Sequence, residues 1–494
     1  MKKYTHEILL ALFALVAIGP VLYYGNPPYY FTPDVLYVKA KLMAVMRGEF
    51  FSDPVTGFPT FHPPFYHIVL VPFVKMGFSA ETLTKLFSMF NVVATIVLVF
   101  LIIKRFFDKT VALMTAALLP FINYFMGPAY FYLATAFYFS VPVFLAGFWL
   151  YVTQSRRAVV MIGIGLLWGM AYLISPGYLF LIGLLFVYDA VVKRDFIPLG
   201  ILFLTFLLAL IPFYIQMYTV YATSMAGTSA FALWRGIPDG EWLKGFFLYT
   251  VSPTDGELMN WQIIPAVLLS ITGLIVGLRI KALRPFIIVC GVAFLLTAYH
   301  FNYFQYGPRI MFFLNLLLVA STISLLCRII ISRKVLIAFL FIVAAFFTVD
   351  HYYRSLSILG EHASQYDKFI EISAGLRQNL GRFVQPGDFV LAGERTYRNF
   401  IMPYFPVKSL VAYKTGEYFQ VNTKLADEML KDHLYLKTSG TPESIDFITK
   451  KYNMKTAVIG GKDTKFPGFQ QINASWTKVY EDPYFAIYIK PDSL

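Results

Sequence analysis

Residues 31–51, FTPDVLYVKAKLMAVMRGEFF, follow the first apolar segment of the chain and differ from it in character. The triplet Thr32-Pro33-Asp34 predicts the start of a helix, because Thr is a favoured N-cap and Pro is favoured at the first helical position. Apolar residues then recur at helical spacing, with Lys39 off the apolar stripe. The stretch therefore predicts a short amphipathic helix with one carboxylate at its start.

The rest of the chain has the composition of a membrane protein. Hydrophobic residues make up 58% of the 494 residues, charged residues make up 14%, and the mean hydropathy is +0.63. A soluble domain carries about 25% charged residues. Apolar runs of about 17 or more residues recur along the first 350 positions, as membrane-spanning helices require. The first run has a basic start and no small-residue cleavage site, which indicates a retained span and not a removed signal peptide.

The charge of the chain is unevenly distributed. The net charge is +13, yet residues 351–494 carry 18 Lys and Arg against 15 Asp and Glu, so most of the excess lies in the first 350 residues. It falls mainly in short loops between apolar runs, as the positive-inside rule predicts for cytoplasmic loops. This distribution argues against nucleic-acid binding. Cys290 and Cys327 both lie in apolar runs, so no disulfide framework is predicted.

Clusters of Lys and Arg predict the topology. They lie at residues 2–3, 104–109, 156–157, 193–194, 279–284 and 328–334. If all are cytoplasmic, each consecutive pair encloses two spans. The predicted spans are 7–24, 83–103, 110–127, 129–152, 158–174, 177–192, 196–220, 260–279, 284–300, 307–327 and 334–350. We therefore predict a polytopic α-helical protein of the cell membrane with about eleven spans and a cytoplasmic N-terminus.

Two long connections, 25–82 and 221–258, then lie outside the cell. Within the first, residues 65–78 are apolar but short and are interrupted by Pro72 and Lys75, which favours an interfacial or re-entrant segment.

The predicted membrane domain, residues 1–350, is followed by residues 351–494, whose composition is that of a soluble domain. Apolar runs in this part predict strands at 388–393, 407–413, 455–461 and 484–490, with helices at 425–434 and 442–452. The sequence thus predicts a C-terminal extracytoplasmic α/β domain.

Ionisable residues of the first external connection are candidates for chemistry. Asp34 either complements the dipole of its helix or serves as a general base at the outer membrane surface. His62 stands before two prolines, which set a rigid extended turn. A loop histidine is usually structural, but together with Glu49 and Asp53 it makes a polar pocket or a metal site conceivable.

A second group of candidates lies in residues 299–313, YHFNYFQYGPRIMFF. Arg309 stands at the predicted outer end of a span, where a cation beside aromatic residues often extends to the interface without further function. The alternative is that Arg309 and His300 bind a phosphate, since the guanidinium matches phosphate geometry through paired donors.

The order of these features resembles the GT-C superfamily of integral-membrane glycosyltransferases, and more closely its branch of protein O-mannosyltransferases and lipid A aminoarabinose transferases. Those families open with one span, an external loop with an acid before a Y…A…M…G pattern, and an HPP or KP turn. Here the pattern reads Asp34, Tyr37, Ala40, Met43, Gly48 and His62-Pro63-Pro64. Residues 169–186 are similar to a mid-chain segment of these families, and residues 307–321 to their late Arg-initiated span.

Two departures from the family pattern stand out. The usual acidic pair reads Asp34-Val35, so a single carboxylate is present, and Ser175 stands where Lys or Arg is common. In addition, no two Trp residues are adjacent, which weighs against the WWDYG motif of oligosaccharyltransferases.

The resemblance implies a sugar donor linked to polyprenyl monophosphate, with its tail among the membrane lipids and spans and its phosphate at the outer face. The acceptor would be a glycan, a lipid or a protein. Asp34 would be the general base of an inverting direct displacement. Arg309, with His300, Lys39 or a divalent cation, would stabilise the donor phosphate. Tyr37, His62 and Asp53 are further site candidates.

Two other functions remain open. The first is a transporter or flippase of a lipid-linked or small substrate, although such proteins usually carry ionisable groups near the midplane and internal repeats. The second is an inactive GT-C-like scaffold, which the missing second acid keeps open. A scaffold predicts that Asp34→Asn leaves function intact, whereas a flippase predicts movement of substrate without covalent change.

Overall fold

The computed structural model of the chain divides into two compact units. It describes residues 5–23, 33–50, 65–122, 136–154, 156–174, 178–221, 263–300, 303–329, 367–410, 423–438 and 440–491, and single positions at 54, 342, 360 and 364. The first unit comprises Met1–Asn26, Thr84–Tyr214 and Ala230–Glu361. The second unit comprises Pro27–Leu83, Ile215–Ser229 and His362–Leu494.

The described residues up to 329 are mostly helical. Their helices are α1 (Thr5–Tyr23), α2 (Pro33–Met46), α3 (Phe65–Lys75), α4 (Ala80–Phe106), α5 (Lys109–Ile122), α6 (Ala136–Thr153), α7 (Ala158–Ile174), α8 (Leu179–Tyr188), α9 (Phe196–Tyr221), α10 (Ile263–Arg279), α11 (Arg284–His300) and α12 (Tyr303–Ile329). Each predicted span from 7–24 to 307–327 overlaps one of them, and the last, 334–350, falls almost wholly outside the described residues. The helical character of the predicted spans is therefore confirmed wherever it is tested.

Few of these helices have a described apolar stretch as long as the hydrocarbon core of a bilayer requires. Counting residues whose side chains are described, two helices are long and apolar enough to cross a membrane, Thr82–Phe106 and Phe312–Ile329. In the other apolar helices of this part of the chain, the stretch whose side chains are described covers 10–17 residues. The number of spans therefore stays a prediction. Helix α3, with 11 residues, reaches about 16 Å and is too short to span a hydrocarbon core of about 30 Å.

The first unit presents apolar stripes to its surroundings. Leu204, Leu208 and Ile211 follow one another at helical spacing on α9, and each has an exposed side chain. Comparable exposed stripes run along α10 and α11; on α10, Leu268 and Ile271 are 59% and 54% exposed. Extended apolar surface of this kind is unfavourable in water and suits the hydrocarbon of a bilayer. The first unit is therefore a membrane-embedded helix bundle.

Inside this bundle, α10 and α12 approach each other closely. Gly273 faces the backbone of Leu318, and a Cβ added at Gly273 would overlap the Leu318 carbonyl oxygen. At the same interface the Thr322 hydroxyl donates to the carbonyl oxygen of Leu269 at 2.6 Å. Small residues that allow backbone contact, and hydroxyls that hydrogen-bond between helices, are typical of membrane bundles.

A buried carboxylate connects two predicted cytoplasmic loops of the first unit. Asp189, which begins the π-helical turn Asp189–Lys193, is fully buried. Its carboxylate accepts two hydrogen bonds from Arg156, at 2.7 and 2.8 Å, and one from the hydroxyl of Tyr151. It also forms an ion pair with the ammonium of Lys193 at 3.0 Å. Burial of a charge is stable only with partners of this kind, so the network fixes the loop after α6 to the end of α8.

The C-terminal part of the second unit contains a four-stranded mixed sheet. Its strands are β1 (Val390–Ala392), β2 (Thr456–Gly460), β3 (Thr477–Glu481) and β4 (Phe485–Ile489), and its helices are α13 (residues 367–380), α14 (Thr423–Thr438), α15 (Pro442–Lys451) and α16 (Pro467–Ser475). The strand order is β1-β2-β4-β3, with β1 and β2 parallel and the other pairs antiparallel. This confirms the predicted α/β character, while its placement outside the membrane stays a prediction.

Alternate residues of the strands enter two separate apolar clusters. Val390 and Val458 lie in the first cluster, and their neighbours Leu391 and Ala457 lie in the second. Helix α13 covers the first cluster, whereas α14, α15 and α16 cover the second. The sheet is therefore the middle of three layers, as the two-residue period of its side chains requires.

The structure tests the predicted strand 407–413 in part and adds one strand that the sequence does not predict. Residues 407–410 are described, and Lys408 forms a parallel bridge with Phe389. Residues 411–413 lie outside the described residues. Strand β3 was not predicted, because its sequence TKVYE has charged and exposed residues. Among the residues that the structure describes, it pairs only with β4, and it carries a bulge; charged, bulged strands are typical of sheet edges.

Replacing Gly273 with Ala is predicted to separate α10 from α12, because the new methyl group overlaps the Leu318 carbonyl. Overpacking of this size costs about 1–3 kcal/mol. A thermal melt of the protein in detergent should show a lower midpoint. Gly291→Ala is the matched control, since a Cβ there meets nothing within 4 Å, and an equal effect of the two changes would contradict the packing described.

His433 predicts a pH dependence of the C-terminal sheet. Its side chain is 4% exposed, and burial, with the nearby charge of Lys437, lowers its pKa to about 4. The unfolded chain, with a pKa near 6.5, takes up a proton before the folded chain does, so stability falls as the pH drops from about 6.5 toward 4. The loss by about pH 5 should approach about 2 kcal/mol.

This dependence is measurable by pulse proteolysis in urea, following the C-terminal fragment of the full chain at several pH values. His433→Gln, which stays neutral, should remove most of the slope between about pH 6.5 and 5. Identical slopes in the wild type and the variant would show that another group is responsible.

Candidate active site

Helix α2 contains three of the seven predicted site residues. It begins at Pro33, as the helix-start pattern predicts, and Asp34 lies in its first turn. Its backbone is described throughout, and its side chains are described from Tyr37 onward. Asp34, Tyr37 and Lys39 are therefore brought together on one short helix, and positions 34 and 37 share a helix face.

Gly48 ends this helix. The Gly48 amide donates to the carbonyl of Val45, and the Glu49 amide donates to the carbonyl of Ala44, both at 3.0 Å. This pair of bonds is the Schellman motif, whose central residue takes a left-handed conformation. Gly48 has φ +87°, which a residue with a Cβ adopts only at a cost. The left-handed backbone at the end of α2 thus explains why glycine stands at position 48 of the family-like pattern.

The residues after α2 are held by charged side chains. Lys41 is fully buried, and its ammonium donates to the carbonyl oxygen of Phe50 at 2.9 Å. Arg47 donates two hydrogen bonds to the Glu49 carboxylate, at 2.9 and 3.1 Å. These bonds hold the pKa of Glu49 below its usual range, with a further contribution from the charges of Lys408 and Lys41. Glu49 is therefore an ionised partner of Arg47.

Helix α2 packs on the C-terminal sheet as well as on α3. Ala40 is 4% exposed and belongs to the first apolar cluster of the sheet, against which Tyr37 also packs. The ammonium of Lys39 lies 4.6 Å from the centre of the Tyr404 ring. A cation over an aromatic face contributes about 0.5–1 kcal/mol when exposed and about 2 kcal/mol when desolvated. The helix with the predicted base thus belongs to the same compact unit as the C-terminal domain.

The other predicted residues lie in different places. His300 is the last residue of α11, and Arg309 lies in the second turn of α12. These two helices pack together and are joined by residues 301–302, so both residues lie near the same end of the pair. The side chains of Asp34, His300 and Arg309 are outside the described residues, as are Asp53 and His62 altogether. Their predicted roles remain predictions.

No group of three or more His, Cys, Asp and Glu side chains lies together among the described residues. The predicted ligands Asp53 and His62 fall outside this part of the chain. The described candidate Glu49 is occupied by Arg47. A divalent cation therefore remains a prediction.

Sequence reasoning did not identify the part of the C-terminal domain that contacts α2. Tyr404 receives Lys39 on its ring, and Arg377 lies over the same ring at 4.8 Å. The ring of Phe369 stacks beside it at 6.0 Å. A single sequence gives no signal for these contacts, because Tyr404 and Lys39 are far apart in the chain and neither lies in a recognisable motif.

Solved structures share this fold over almost the whole chain. ArnT from Cupriavidus metallidurans bound to undecaprenyl phosphate matches with a TM-score of 0.65 and 14% identity, over 97% of each chain. An oligosaccharyltransferase from Archaeoglobus fulgidus in the apo form matches with a TM-score of 0.56 and 13% identity, over 93% of this chain and 70% of that one. The arabinofuranosyltransferase AftD from Mycobacteria matches with a TM-score of 0.52 and 10% identity, over 99% of this chain and 40% of that one.

No protein-family model and no curated protein sequence matches the chain. These three structures are GT-C glycosyltransferases. At identities this low the likeness concerns the fold. The predicted resemblance to the GT-C superfamily is confirmed at that level.

Proposed function

We propose that this chain, which has the GT-C fold, is a glycosyltransferase that moves a sugar from a polyprenyl-monophosphate donor to an acceptor at the outer face of the cell membrane. The observation that carries the proposal is the match over 97% of both chains to ArnT, whose structure contains undecaprenyl phosphate. A membrane-embedded bundle also supports it, because only hydrocarbon dissolves a polyprenyl tail.

The proposed reaction is a direct displacement with Asp34 as the general base. The Asp34 carboxylate takes the proton of the acceptor hydroxyl while the acceptor oxygen bonds to the anomeric carbon of the sugar. The bond from that carbon to the phosphate oxygen breaks, and its electron pair leaves with the polyprenyl monophosphate. One displacement inverts the anomeric configuration. The same scheme applies to an amine or a phosphate as acceptor.

The leaving phosphate needs positive charge. We assign this role to Arg309 and His300, which lie near the same end of the α11–α12 pair. Lys39 was predicted to assist, and its contact with Tyr404 gives it a second role in holding α2. A divalent cation would neutralise the same charge if Asp53 and His62 bind one. Tyr37 and His62 remain candidates for contact with substrate.

Asp34→Asn is predicted to lower sugar transfer by at least about a hundredfold, because the amide cannot accept the acceptor proton. Transfer is measured in detergent or liposomes with a panel of polyprenyl-phosphate sugars. Glu443→Gln is the matched control. Thr441-Pro442-Glu443 also begins a helix with a Thr cap, Pro at its start and an acid in the first turn, so this change removes a similar charge far from α2 in sequence.

The outcomes separate the candidate functions. Transfer that survives Asp34→Asn keeps the glycosyltransferase and moves the base, with Asp53 the next candidate. Movement of labelled lipid across liposomes without release of sugar would identify a flippase. Binding of donor without transfer or movement, in protein shown to be folded, would identify a scaffold.

A further inference from the structure

We propose that the C-terminal domain positions α2 for the reaction and that Tyr404 is a positioning residue. This inference rests on the proposed function, because it concerns the placement of Asp34. It assigns the domain a role in catalysis through another residue, and it assigns no contact between Tyr404 and the substrate.

The first support is the burial of α2 in the domain. Ala40 shares an apolar cluster with Leu376 of α13 and with Tyr397 and Ile401 of the turn after β1. Tyr37 packs against the same cluster. Residues of α2 therefore pack into the same apolar layer as residues of the C-terminal domain, far from them in sequence. Removing α2 would expose the part of this cluster that Ala40 and Tyr37 cover.

The second support is the rigidity of the segment with Tyr404. Tyr397 is fully buried, and its hydroxyl donates to the carbonyl oxygen of Val407 at 2.6 Å, which closes the turn on both sides of Tyr404. The Tyr404 amide donates to the carbonyl oxygen of Ile401 at 3.0 Å. Stacking on Phe369 fixes the plane of the Tyr404 ring. Contacts within the C-terminal domain alone therefore fix the position of the Tyr404 ring, independently of α2.

The third support is the pair of cations on one ring. Lys39 and Arg377 lie 4.6 and 4.8 Å from the centre of the Tyr404 ring. The Nε of Arg377 is buried and has no hydrogen-bond partner in the part of the chain that the structure describes. The same guanidinium donates from its terminal nitrogen to the Ile370 carbonyl oxygen at 3.3 Å, and the Tyr404 ring face adds a cation–π contact. The Tyr404 ring contacts Arg377 of its own domain and Lys39 of α2, and it therefore links α2 to the C-terminal domain.

Asp34 lies close enough to the fixed part of α2 for its position to depend on it. Lys39 stands five positions after Asp34, so the two Cα atoms differ by about 7.5 Å along the helix axis. Position 34 also shares a helix face with Tyr37, which packs on the domain. Fixing residues 37–40 therefore fixes the turn with Asp34. An error of about 1 Å in such a group reduces rate by about a hundredfold.

The test compares Tyr404→Leu with Tyr404→Phe in the full chain. The leucine variant should lower kcat by between tenfold and about a hundredfold, with less than about a threefold change in the KM for the donor, because a misplaced base weakens only the transition state. The phenylalanine variant keeps the ring face and should retain most of the activity. Tyr452→Leu is the control, since Lys451 lies 5.2 Å from its ring centre and Tyr452 packs on the second cluster.

Hydrogen exchange of the peptides of α2 supplies a readout that does not depend on turnover. Tyr404→Leu should speed exchange in residues 37–46 and leave strands β2 and β4 unchanged. Where the strands also lose protection, Ala40→Leu takes the place of Tyr404→Leu, because this change displaces α2 from the cluster without substituting a residue of the C-terminal domain. Faster exchange with unchanged kcat would overturn the positioning role, and so would unchanged exchange in both variants.

The two proposals fail separately. A wild type that transfers no sugar from any donor would refute the proposed function, and the positioning role falls with it even if α2 is held by Tyr404. Transfer by the wild type that Tyr404→Leu and Ala40→Leu leave intact would refute the positioning role alone.

Discussion

The second unit depends on the burial of one short helix. Helix α2 has 14 residues and reaches about 21 Å, which is less than the thickness of a hydrocarbon core. Val38, Leu42 and Ala44 on its different sides are nonetheless buried, so it must find protein on more than one side. Packing on α3 meets part of this need, and the first cluster of the C-terminal sheet meets the rest. The segment that follows α1 and the segment that ends the chain therefore form one unit.

This arrangement connects the predicted general base with the C-terminal domain, although the two are far apart in sequence. The acid expected to activate the acceptor lies in the first turn of α2, and the C-terminal domain supplies part of the surface on which α2 rests. Lys39, predicted as a phosphate ligand, lies on Tyr404. A chain with a single carboxylate in place of the usual pair has one group to place correctly, and a fixed helix is the physical means of placing it.

The parts of the fold that sequence predicts are those with local causes. Long apolar runs between basic clusters predict α4, α7 and α9 closely, and buried strands β2 and β4 follow from their apolar composition. Edge strand β3 escapes prediction because its residues are charged and exposed. The contact of Ala40 with the sheet and of Lys39 with Tyr404 joins residues more than 300 positions apart, and no local pattern encodes such a pairing. The helix with Asp34 is predictable from its start and its Gly48 end, while its surroundings are not.

The measurement that tests the central claim most directly is the anomeric configuration of the transferred sugar. A polyprenyl-phosphate donor of known configuration is given to the purified chain, and the new glycosidic bond is assigned by NMR. Direct displacement with Asp34 as base predicts complete inversion, with one polyprenyl monophosphate released for each sugar transferred. Retention of configuration would contradict the account, because it requires a covalent or otherwise two-step reaction that a single general base does not provide.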